Sequence, residues 1–154
     1  MILLVFFLMV LIQFIFSYLN VSVDVIFIFV FWVNYTNNDI ISLVYSFFAG
    51  LYMDFYYQFP FGVCSLTMIV ISRIIANIKY KMDIEMIASR FVSFITMNYI
   101  FNLLLFIFSL IVSSQNYFNL KFLYLPFINF FFFEIFKIAF EKVYNKKYSE
   151  AYYD

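Results

Sequence analysis

Polar positions in this chain fall in clusters, and long apolar runs lie between them. Charges, Asn and Pro divide the sequence into six runs: Ile2 to Tyr18, Val23 to Asn34, Ile40 to Tyr57, Val63 to Tyr80, Phe91 to Val112, and Phe122 to Val143. Apolar runs of roughly 17–25 residues, rising ~1.5 Å per residue, match a hydrocarbon core of ~30 Å. The pattern therefore predicts an all-α polytopic membrane protein with six transmembrane helices. The second run is the shortest and reads as a tilted or partly inserted helix. The first run has no Lys or Arg before it and no A-x-A cleavage site after it, so it is expected to be retained rather than removed as a signal peptide.

Composition strengthens this picture. The 154 residues are 67% hydrophobic and 12% charged, where soluble domains run near ~45–50% apolar and ~25% charged. A mean hydropathy of +0.99 leaves more apolar surface than a core of this size can hide from water. With no His, a Ser-His-Asp triad or a histidine-ligated metal is excluded. The lone Cys64 excludes an internal disulfide and a CxxC redox pair. Nine basic residues balance nine acidic ones, so no net field speaks for nucleic acid. No cofactor or metal is called for. The Phe and Tyr bias is of a low-complexity kind, and Trp32, Tyr35, Tyr56 and Tyr57 are expected to form an interfacial belt.

Lys79, Lys81 and Arg90 lie between the fourth and fifth runs, and Lys142, Lys146 and Lys147 follow the sixth. Two spans separate these groups, so both belong on one side, and the positive-inside rule makes that side cytoplasmic. Lys121 is the exception. Both termini are then cytoplasmic, with residues 1–143 forming one six-helix membrane domain and 144–154 a short polar cytoplasmic tail.

Each charge within a span asks for a reason, because one at mid-bilayer costs at least ~2.5 kcal/mol. Asp24 and Asp54 fall near the same outer boundary. Three readings are open: helix-end residues in the headgroup zone, a shared outward recess with Gln58 and Asn20, or a catalytic carboxylate pair. Arg73 and Glu134 fall at matching depths, so they are expected either to form an interhelical ion pair, with Lys137 competing for Glu134 one turn away, or to leave both bases, Arg73 and Lys137, snorkelling to the inner interface. Asn98 and Asn102 are one turn apart, with Ser109 and Ser113 continuing the face, and this stripe is expected to pack helices together. Of two Gly and two Pro, three lie between Gly50 and Gly62. Gly50 permits close helix approach one turn before Asp54, and Pro60 and Gly62 shape a tight turn into the next run.

That stretch, G-x-x-x-D at the end of one apolar helix and then P-x-G, resembles MreD, the family of rod shape-determining membrane proteins. Val23-Asp24-Val25-Ile26 is similar to the acidic or polar opening of the preceding helix in that family, with Val where Pro is usual. Ile78-Lys79-Tyr80-Lys81 is similar to its short basic loop, and Asn129 through Glu134 to Lys147 to its C-terminal segment. The resemblance implies a six-helix fold like that of the substrate-binding membrane subunits of vitamin uptake transporters. It also implies a non-enzymatic scaffold in the bacterial inner membrane, coupling cytoskeleton to peptidoglycan synthesis. The implied partners are an MreC-type single-span protein, MreB, RodA with its transpeptidase, and membrane lipid. Two alternatives stand beside it: a solute-binding subunit of a transporter, and an intramembrane aspartyl hydrolase built on Asp24 and Asp54.

Overall fold

The computed structural model describes residues 2–19, 23–81, 86–112 and 121–151. Six helices follow in order: α1 Ile2–Tyr18, α2 Val25–Thr36, α3 Asp39–Tyr57, α4 Val63–Lys81, α5 Ile87–Val112 and α6 Lys121–Ala151. No strand occurs among the described residues. Among the described residues two segments are long and apolar enough to cross a membrane, Asp39–Tyr57 and Ile87–Phe108. α1 and α2 are shorter apolar helices.

The architecture is organised around α2. Every residue from Val25 to Asn34 is buried, so this helix has no outward face until its last two residues. Its sequence explains why: Val25 to Val33 is apolar on all sides, the pattern of a helix enclosed by others. α2 packs directly on α1, α3, α4 and α6. It reaches α5 through Phe27 and Phe31, whose rings meet Phe94 edge-on at centroid distances of 5.5 and 4.9 Å. Phe31 also meets Phe133 of α6 at 5.2 Å, and Phe29 meets Phe6 of α1 at 5.4 Å. Around this axis α4 packs on both α3 and α5, and α5 on α6.

The outward faces of the other helices are strongly apolar. On α1, Leu4, Leu11 and Phe14 are more than 60% exposed, and on α6 Leu123 and Phe131 are as open. Buried polar side chains gather inside instead, at the two ends of α2 and along the α3–α4 contact.

Two boundaries differ from the sequence expectation. α5 begins at Ile87 rather than Phe91, so Arg90 sits in its first turn and is buried instead of lying in a basic loop. The stretch expected to be a polar tail from residue 144 continues α6 as helix to Ala151. Asn20 and Ser113 lie outside the described residues, as do the side chains of Lys81, Ser109, Lys121, Lys142, Lys146 and Lys147.

Candidate functional site

The residues between Gly50 and Gly62 form the joint between α3 and α4, the most extensive helix pair in the fold. Gly50 lies directly against the α4 backbone. A Cβ placed there would overlap the Ser65 Cα and stand 2.7 Å from the Cys64 carbonyl oxygen. Small residues continue this face of α3, with Ser42, Ser46 and Ala49 all buried.

One turn beyond Gly50, the Asp54 carboxylate turns toward the start of α4. Oδ2 accepts the Gly62 amide at 2.8 Å and Oδ1 the Cys64 amide at 2.6 Å. The first amides of a helix have no partner within it, and a carboxylate there is favoured by both hydrogen bonding and the helix dipole. Asp54 thus caps the helix that follows its own. Between the two, Gln58 ends α3 in the left-handed region at φ 55°, and the Phe59 amide returns to the Asp54 carbonyl at 3.0 Å. This is a Schellman-type ending with Gln where Gly is usual. Gly62 has φ 105°, a conformation that favours glycine.

Asp24 lies at the same end of the bundle, just before α2. Its side chain makes no cap bond within its own helix. Instead Oδ1 accepts the Tyr57 hydroxyl of α3 at 2.6 Å, and Oδ2 faces the Asn129 amide of α6 at 3.5 Å. The caps come from elsewhere: Asn129 Oδ1 accepts the Asp24 amide at 3.1 Å, and Gln13 Oε1 of α1 accepts the Val25 amide at 2.8 Å. Three helices, α1, α3 and α6, therefore converge on the opening of α2.

The far end of α2 is closed in a similar way. Asn34 donates to Ser46 Oγ of α3 at 3.2 Å and accepts from Ser72 of α4 at 2.5 Å. Ser42 donates to the Val33 carbonyl at 3.2 Å, and Lys79 donates to the Asn37 carbonyl at 3.1 Å. The basic side chain at this end also suits the helix dipole. Asn34, Ser46, Ser72 and Gln13 are helix-joining positions that the sequence reading misses. The signal for Ser46 is its place one turn before Gly50, and for Asn34 its place at the end of an apolar run.

Several expectations are corrected. Asp24 and Asp54 are 7% and 2% exposed, so the fold encloses both carboxylates. Among the described residues no hydrogen bond joins them, and Gln58 is exposed on the turn rather than completing a recess with them. Glu134 pairs with Arg90, not Arg73: Arg90 Nε donates to Oε1 at 3.1 Å. The reason is placement, because α6 packs on α5 and α2, while Arg73 points outward from α4. Lys137 lies over the Tyr35 ring at 5.3 Å. Asn102 bonds back to the Asn98 carbonyl and side chain at 2.8 and 2.9 Å, so that pair runs along α5 instead of tying helices. Asn129 does tie helices, through Asp24. Trp32 is buried within the bundle, and the Tyr57 hydroxyl donates to Asp24.

Chemically, the arrangement positions backbone and holds helices together. Among the described residues no group of acids, Cys or His could hold a metal ion. No protein-family model, curated protein or solved structure matches this chain.

Proposed function

We propose that this chain is an integral membrane scaffold of the MreD type, acting in the cell-elongation machinery of a bacterial inner membrane. The observation that carries the reading is the α3–α4 joint. The Gly50, Asp54 and Gly62 positions that carry the resemblance act together, glycine admitting the next helix and aspartate capping it. Both carboxylates at this end make structural bonds, which supports a holding role over a dyad hydrolase.

In this reading all six helices lie within the bilayer, with both termini cytoplasmic. Exposed apolar faces meet lipid or partner helices, while polar side chains close the two ends of α2. At ~1.5 Å per residue, α2 measures about 18 Å and falls short of the ~30 Å core. Its hydrogen-bonded ends remove the penalty for stopping inside, because backbone groups at membrane depth need partners within the protein.

Copurification of the tagged chain in gentle detergent, with partners identified by mass spectrometry, tests the proposal. Recovery of an MreC-type single-span protein with wall-synthesis enzymes is the expected result. Recovery of an ATPase pair with a coupling subunit would replace the scaffold by a transport subunit.

A further inference from the structure

The outer side of α4 carries a charge that the fold does not use. Leu66, Val70, Arg73 and Asn77 are all exposed and recur at i, i+4, i+7 and i+11, so they form one stripe. The other sides of α4 pack on α2, α3 and α5. Among the described residues Arg73 makes no hydrogen bond or ion pair, in contrast to the buried Arg90 on Glu134.

Any role for this stripe rests on the membrane reading of the chain. The 19 residues of α4 measure about 28 Å, close to the hydrocarbon thickness. Arg73 stands ten residues from Val63 and eight from Lys81, or about 15 and 12 Å from the two ends. Helical side chains leave the axis toward the helix N-terminus. The guanidinium is therefore aimed away from the nearer boundary, and the other is farther still. Snorkelling serves residues near helix ends, and Arg73 is not one of them. Nor can it shed its charge, since arginine stays protonated in proteins. A carboxylate at the same depth is the group that fits.

A second copy of this chain does not supply one. Asp24 and Asp54 are buried in their own hydrogen bonds, and Glu134 is held by Arg90. The remaining acids (Asp39, Asp83, Glu85, Glu141, Glu150 and Asp154) lie at the start of α3, between α4 and α5, or from Glu141 onward. We propose that the Leu66, Val70, Arg73 and Asn77 stripe docks a transmembrane helix of another protein that carries one Asp or Glu near mid-depth. Arg73 offers that carboxylate a two-pronged bond. Asn77, one turn on, offers an amide, while Leu66 and Val70 pack against the helix body.

The test reconstitutes the full-length chain in phosphatidylcholine vesicles with a synthetic leucine-rich transmembrane peptide bearing one central Glu. Association is followed by energy transfer. The Glu peptide is expected to bind about tenfold more tightly than the same peptide with Leu at the centre, a difference of the size polar interhelical bonds supply. Arg73→Leu should abolish that preference, and Arg73→Glu should restore association with a central-Lys peptide. Equal binding of the Glu and Leu peptides by the unaltered chain overturns the proposal. So does binding that needs added phosphatidylglycerol, which assigns Arg73 to an anionic lipid headgroup. Self-association that Arg73→Leu abolishes overturns it as well, by assigning the stripe to a second copy. Val70→Cys, tested with a membrane-impermeant maleimide, separates the two levels: protection places α4 in the bilayer. Ready labelling sinks the membrane reading, and the docking proposal with it.

Discussion

Asp24 and Asp54 lie at the same end of the bundle, both shielded from solvent, and they are held in different ways. Asp54 spends its carboxylate on two backbone amides eight and ten residues ahead. Asp24 depends on side chains 33 and 105 residues away. The first is a local joint that two neighbouring helices complete between them. The second exists only when α1, α2, α3 and α6 are all in place. The same residue type thus serves one hairpin in one case and the whole assembly in the other.

Substitutions can break this contrast, beginning with the joint. Gly50→Ala drives a methyl group into the Ser65 backbone, which no side-chain rotation relieves. The expected loss is about 3 kcal/mol or more, at the upper end of overpacking costs. Detergent unfolding followed by the fluorescence of the single Trp32 would measure it. Asp54→Ala leaves two amides without their acceptor and should cost about 2–3 kcal/mol, with Asp54→Asn about half as harmful. Equal effects from Ala and Asn would deny the carboxylate its capping role. Tyr57→Phe should cost about 1–2 kcal/mol by removing the short bond to Asp24. Combined with Asn129→Ala it should depart from additivity by ~0.5 kcal/mol or more, whereas Asn129→Ala with Asp54→Ala should be additive within that margin. Coupling in the second pair would merge the two regions into one. The smallest effect is a gain: Gln58→Gly relieves a left-handed residue and should stabilise by ~1 kcal/mol. A loss instead would mean that the Gln58 side chain matters.

The way each aspartate is held also explains how much of it the sequence can show. The Asp54 joint is legible because its members fall within thirteen residues at helical and turn spacing. Gly50 reads as a point of close approach from that spacing alone. The Asp24 node is legible only as an acid opening a helix, since Tyr57, Gln13 and Asn129 are brought to it by packing. Depth along the span matches Glu134 to Arg73. Depth does not fix how a helix is rotated, and rotation gives Glu134 to Arg90 while turning Arg73 outward. Six spans are expected; six helices occur among the described residues, two of them with segments long and apolar enough to cross a membrane, because apolar runs punctuated by polar clusters carry strong local information. The burial of α2 from Val25 to Asn34 is written in its unbroken apolar circumference, a signal that its shortness as a span obscures.

The bond between Asp24 and Asn129 also orders events in time. A chain emerging from the ribosome makes α2 long before α6. Until residue 129 has been synthesised and delivered, the opening of α2 lacks one of its two amide acceptors. The opening of α2 is thus provisional, and α6, arriving later, closes it.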